Sequence, residues 1–123
     1  MASALGAERV DFISVPTRDY ERARAFYRDT LGLPVDPNNA AEIATTNVTL
    51  CFWNPEDEGE DFVPNAAGFA LRVPDVASAR AELEKAGVEF LGETVDTGVC
   101  HMGFLKDPDG NVVILHRRYA PYE

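Results

Sequence analysis

Basic residues, cysteines, histidines and long apolar runs are all scarce in this sequence. Eleven lysines and arginines stand against 21 aspartates and glutamates, a net charge of −10. Recognition of nucleic acid or of an anionic membrane surface needs clustered cations, so neither is an expected partner. Cys51 and Cys100 lack CxxC spacing, which argues against a disulfide framework and against a zinc knuckle. A reducing cytoplasm is the expected location. No apolar stretch approaches the ~20 residues that span a bilayer, and "MASALGAERV" has neither a basic n-region nor an apolar h-region, so no signal peptide is expected. GxSxG, HExxH, P-loop and GxGxxG motifs are all missing, which removes the nucleophile-elbow hydrolases, zincins and common nucleotide binders that those motifs mark. What remains is ordinary globular composition: 123 residues, 46% apolar and 26% charged, enough for one domain over 1–123 with a real core.

Two halves share one grammar. "FISVPTRDYERARAFYRDTLGL" and "FALRVPDVASARAELEKAGV" each open with alternating apolar residues, the pattern of a strand with one buried face. Asp19 and Asp75 then sit where a helix N-cap is wanted. Ala23, Phe26, Tyr27 and Leu31 form the apolar stripe of the first helix, and Val76, Ala79, Leu83 and Ala86 that of the second. Gly32 and Gly87 are placed to end them. Strand patterns return in "AEIATT" and "NVTLCFW", and again in "VEFLGETV", "VCHMGFL" and "NVVILHRRY", the last two joined by the turn "KDPDGN". The predicted fold is α+β: two βαβββ modules, an internal duplication. Module one covers about 9–55, an acidic linker about 56–67, and module two about 68–119.

"ARAFYRDTLGL" and "FLKDPDGNVVIL", in this order and at this separation, resemble the vicinal oxygen chelate superfamily, which includes glyoxalase I, bleomycin-resistance proteins, fosfomycin-resistance enzymes and extradiol dioxygenases. The resemblance runs from about Arg9 to Tyr119. It implies that the two modules form a curled mixed sheet with a concave cleft, which a second subunit often completes, and hence a homodimer. It also implies, in the family's enzymes, four metal ligands, one per strand and usually His, Glu, His and Glu. Those positions fall here on Phe12, Cys51, Gly68 and Ile114. One thiol among three residues without a donor is not the nitrogen- and oxygen-rich set these metals require. No metal or other cofactor is therefore expected, and the family's metal-dependent reactions are not expected either.

Residues two apart along a strand share a face. The face of the four ligand positions then gathers Phe12, Ser14, Thr49, Cys51, Trp53, Ala70, Arg72, Val112, Ile114 and His116, while Ile13, Val15, Leu50, Phe52, Phe69, Leu71, Val73, Val113 and Leu115 pack under the helices. His116 reads equally as a cleft residue and as a strand-end histidine. Arg72 reads as an anchor for a ligand oxygen or as a rim arginine paired with a linker acid. Trp53 is either a stacking platform or a cap on the core. Cys51 and Cys100 fit inert thiols better than nucleophiles. His101 depends on register: with Lys106 opposite Asn111 it faces His116, and with Lys106 opposite Val112 it turns away while Met102 and Phe104 face the cleft. The cleft that the resemblance implies favours the second register, with His101 structural.

These residues support a metal-independent small-molecule binding protein like the bleomycin-resistance branch, sequestering an aromatic or cationic antibiotic-like ligand. Its ligand-binding set is Phe12, Ser14, Cys51, Trp53, Arg72, Met102, Phe104, Ile114 and His116. The alternative is a lyase or isomerase in which His116 is the general acid or base and Arg72 stabilises developing negative charge. A variant of that alternative holds a non-standard metal through Cys51, His101 and His116.

Overall fold

Asp19 and Asp75 cap the two helices as their positions predict. In the computed structural model, which describes residues 5–121, each has extended backbone and accepts a hydrogen bond from the amide three residues on, Arg22 N or Ser78 N. Helix α1 (Tyr20–Ala25) runs on into a wide π-helical segment, Phe26–Thr30, closed by Leu31 N donating to Phe26 O at 2.9 Å. Helix α2 is Val76–Lys85. Gly32 and Gly87 follow with φ of +74° and +89°, the left-handed geometry that lets the chain leave a helix without a Cβ clash.

The strands form two sheets. β1 (Phe12–Pro16), β2 (Glu42–Ala44) and β3 (Thr49–Trp53) make the first, in the order β1-β3-β2 with β1 parallel to β3. β4 (Phe69–Arg72), β5 (Val95–Asp96), β6 (Cys100–Lys106) and β7 (Val112–Arg118) make the second, in the order β4-β7-β6-β5 with β4 parallel to β7. The second half is a full βαβββ unit. In the first, the strand after the helix shrinks to a single bridge, Val35 to Ile43. Pro34 and Pro37 flank Val35, and proline cannot donate to a ladder. "VEFLGETV" is broken in the same way at Gly92 (φ +66°), leaving a bridge at Phe90 and the short β5. Between the halves the acidic stretch begins with a 3-10 turn, Pro55–Glu58, capped by the Asn54 side chain.

The alternation holds. Val15, Leu50, Phe52, Val113 and Leu115 are buried with Ala23, Tyr27, Ile43, Val76 and Leu105, and Ile13, Phe69, Leu71 and Val73 pack against them. Ala86 departs from its stripe: it is the exposed C-cap of α2 rather than a core residue.

The two motifs that carried the resemblance meet. Tyr27 Oη donates to Asp107 Oδ2 at 2.8 Å, and Asn111 Nδ2 bonds both Asp107 Oδ2 and Pro16 O at 2.8 Å. The other Asp107 oxygen accepts from the Asp109 and Asn111 amides, each at 2.9 Å. Asp109 accepts from Thr17 Oγ1 (2.6 Å), Arg18 N (3.1 Å) and Arg22 Nη2 (2.6 Å). The DPDGN turn therefore ties β6 and β7 to β1 and α1 through a buried, fully bonded network. Burial and the neighbouring Asp107 push the Tyr27 phenol far above its ordinary range, so it stays a donor. The π-helical segment begins one residue before Tyr27.

Candidate functional site: a groove beside strand β4

The hairpin register answers the histidine question. Lys106 pairs with Val112, Phe104 with Ile114 and Met102 with His116, while His101 pairs with Arg117. Paired residues share a face, so His101 lies on the face opposite His116. Its ring packs on Tyr119 at 4.9 Å between centroids, and Nε2 is 3.4 Å from Asp96 Oδ2. Asp96 is held below the usual carboxylate range, first by the Gly98 amide and then by the Tyr119 hydroxyl.

β4 extends the His116 row by one strand. Arg72 is the direct partner of His116, and Ala70 of Ile114. Across the second sheet the rows are thus Arg72–His116–Met102 and Ala70–Ile114–Phe104. In the first sheet Ser14, Cys51 and Glu42 form one row, and Phe12 pairs with Thr49. Glu42 escaped the sequence reading because the register of so short a strand is not written in its pattern. Burial first, and the Glu42 carboxylate second, push the Cys51 thiol up, which keeps it protonated and a poor nucleophile.

A groove of about 910 Å³ opens where β1 and the segment leading into it (Val10, Ile13), the β2–β3 turn (Thr45–Val48) and β4 (Phe69–Arg72) approach one another, with Leu33, Pro34, Leu50 and His116 completing it. That volume is in the range of small-molecule sites. Of the nine candidate ligand-binding residues, only Arg72 and His116 line it. Phe12, Ser14, Cys51, Trp53, Met102, Phe104 and Ile114 lie on the sheet faces outside it. The sequence reading missed Ile13, Leu50, Phe69 and Leu71 as lining residues, because alternation assigned them to the core. They do pack there, but β1 and β4 are both sheet edges, and alternation carries no signal of space left between two edges.

Two features set the groove's electrostatics. No aspartate or glutamate lines it, although acids outnumber bases by 21 to 11 in the chain. And no hydrogen bond or ion pair is formed by the Arg72 or His116 side chains among the described residues, whereas Arg9, Arg18, Arg22, Arg24, Arg28 and Arg80 each pair with a carboxylate.

The family's metal does not fit these residues. Among the described residues no group of three or more His, Cys, Asp or Glu is placed to hold an ion, so Cys51, His101 and His116 do not form a site either. Of the family's positions, Gly68 is the most decisive. Its φ is +79°, and a Cβ there would lie 2.7 Å from Val112 O and 2.9 Å from Val112 Cγ1. No ligating side chain can be mounted at that point without displacing β7 backbone.

The fold has solved counterparts. An antibiotic binding protein, TnmS3 from Streptomyces sp. CB03234, is 28% identical with a TM-score of 0.72, over 91% of this chain and 97% of that one. A superfamily member from Sphaerobacter thermophilus DSM 20745 is 23% identical with a TM-score of 0.74, over 89% and 97% of the two chains. A lactoylglutathione lyase from Agrobacterium tumefaciens shares the fold at 18% identity and a TM-score of 0.72, over 89% and 93%. No curated protein sequence matches the chain significantly. The sequence profile of the Glyoxalase/Bleomycin resistance protein/Dioxygenase superfamily matches residues 9–115, and the chain belongs to that superfamily.

Proposed function

We propose that this protein is a metal-independent small-molecule binder that encloses a flat, largely apolar compound and releases it unchanged. The carrying observation is the groove beside β4, with its apolar lining and its unpartnered Arg72 and His116. The likeness to an antibiotic binding protein supports the same reading. Burial of apolar surface, at about 25 cal/mol per Å², would supply most of the affinity. Phe12, at the start of edge strand β1, and Val10 just before it are 56% and 64% exposed, which supports cover by a second copy in a homodimer. Both cysteines are free thiols, in keeping with a cytoplasmic location, and no helix among the described residues is long and apolar enough to cross a membrane.

The test is titration calorimetry of chelator-treated protein against a panel of flat aromatic antibiotics, with mass-spectrometric recovery of the bound compound. Stoichiometric binding, unaffected by chelator and without turnover, is expected. Thermal melting with nickel, zinc, manganese or ferrous iron should show no rise; specific binding at a hundredfold excess over Kd would add about 3 kcal/mol. A selective metal shift, or chemical conversion of the compound, would overturn the reading. Sedimentation should give twice the 13.5 kDa chain mass.

The juxtaposition of Arg72 and His116 also favours a second reading, a lyase or isomerase with His116 as proton carrier and Arg72 opposite developing negative charge. It requires turnover whose pH profile loses one limb in His116→Asn.

A further inference from the structure

We propose that the groove selects an organic acid: a flat apolar body bearing one carboxylate or comparable anionic oxygen group, received by Arg72 with His116 beside it. This rests on the binder reading and adds the charge of the ligand. The net charge of −10 taken alone favours a cation, but charge acts locally. At physiological salt the screening length is about 8 Å, so the groups at the groove decide. None of them is acidic, and two are nitrogen donors on adjacent strands with no partner of their own.

An arginine without a carboxylate is unusual in this chain, where acids surround most of the others. Arg117 is the informative contrast. It too forms no ion pair among the described residues, but it pairs with His101 on the far side of the hairpin and does not line this groove. A guanidinium offers a planar fork that matches a carboxylate in two hydrogen bonds. The exposed position of Arg72 keeps the gain at the lower end of the charge-assisted range. Ile13, Leu50, Phe69 and Leu71 supply the apolar surface, so the acid must carry a hydrophobic body and small acids such as acetate should not bind.

The experiment is a calorimetric comparison of three probes of one shape: anthracene-2-carboxylate, its methyl ester and the aminomethyl cation. The acid should bind about tenfold more tightly than the ester, and the cation more weakly than either. The acid-to-ester ratio should fall to about one in Arg72→Gln and persist in Arg117→Gln, which removes the same net charge elsewhere. Melting curves of both variants check folding, and Arg72→Lys, which keeps the charge, should retain part of the preference. Equal binding of acid and ester, a preference for the cation, or a preference that survives Arg72→Gln would overturn the proposal and leave the binder reading standing. If no probe binds and the antibiotic panel also fails, both fall.

Discussion

Gly68→Ala tests the claim that the third metal-ligand position of the superfamily is sterically closed in this chain. Two costs add. Placing a Cβ residue at φ +79° costs about 1–2 kcal/mol for left-handed backbone. The new Cβ would also sit 2.7 Å from Val112 O and 2.9 Å from Val112 Cγ1, well inside the roughly 3.5–4.0 Å of normal contact. Relief requires moving backbone at a point that the bond from Val112 N to Asn65 O, 2.9 Å, holds in place. Forced overpacking of this kind costs about 1–3 kcal/mol, giving about 2–5 kcal/mol in all. Gly59→Ala is the matched control, since Gly59 has φ +76° and nothing within 4 Å of its Cβ position, so it should show the backbone cost alone. In urea unfolding, with a slope of about 1–3 kcal/mol per M for a small protein, the Gly68 variant should melt roughly 1 M below the Gly59 variant. Coincident midpoints at equal slopes would refute the clash, and with it the argument that no ligand can be rebuilt there.

The buried phenol gives a pH prediction. Because Tyr27 is shifted upward on folding, its contribution is complete below the ordinary tyrosine value of about 10 and is lost as pH rises above it, at about 1.4 kcal/mol per pH unit. Urea melts at pH 9 and pH 11 should show that loss in the wild type and a smaller one in Tyr27→Phe. Asp109→Ala leaves Thr17 Oγ1, the Arg18 amide and Arg22 without their shared acceptor, and should destabilise by about 1.5–3 kcal/mol in the same assay; a cost under about 1 kcal/mol would show that the turn does not tie the two halves together. Cys51 should react slowly with a thiol reagent at neutral pH, and Glu42→Gln should speed it roughly two- to fivefold by removing a nearby negative charge. An unchanged rate would mean that burial alone sets its pKa.

The period-two pattern was enough to sort Val15, Leu50, Phe52, Val113 and Leu115 into the core, because a one-residue error would have exposed all of them. Asp19 and Asp75 marked the helix starts for an equally local reason, since a cap is a contact within three residues. The β6–β7 register was narrowed to two choices and decided by the length of the DPDGN turn, which leaves Lys106 opposite Val112. Features that depend on how the halves meet were not legible. The groove is space between two sheet edges, and its walls use residues already assigned to the core. The switch from α to π geometry at Phe26 leaves the apolar spacing of Tyr27 and Leu31 unaltered, so periodicity could not reveal it.

The motifs that make the family recognisable serve the scaffold rather than the groove. Tyr27, Asp107, Asp109 and Asn111 are buried or bonded on the side of α1, and every polar group they bring is satisfied within the network. Changing one of them strands a buried partner, so their chemistry is constrained by folding. The two nitrogen-bearing side chains of β4 and β7 at the groove are not bound in this way. Arg72 and His116 bond to no other side chain among the described residues, and replacing either leaves the network intact. A chain can therefore keep its fold while the metal positions become Phe12, Cys51, Gly68 and Ile114, and while an unpaired guanidinium comes to sit at an acid-free groove. It follows that substitutions at Tyr27 or Asp109 should be read as stability changes first. Substitutions at Arg72 or His116 that alter affinity for a probe without moving the melting point would support the proposed binding role.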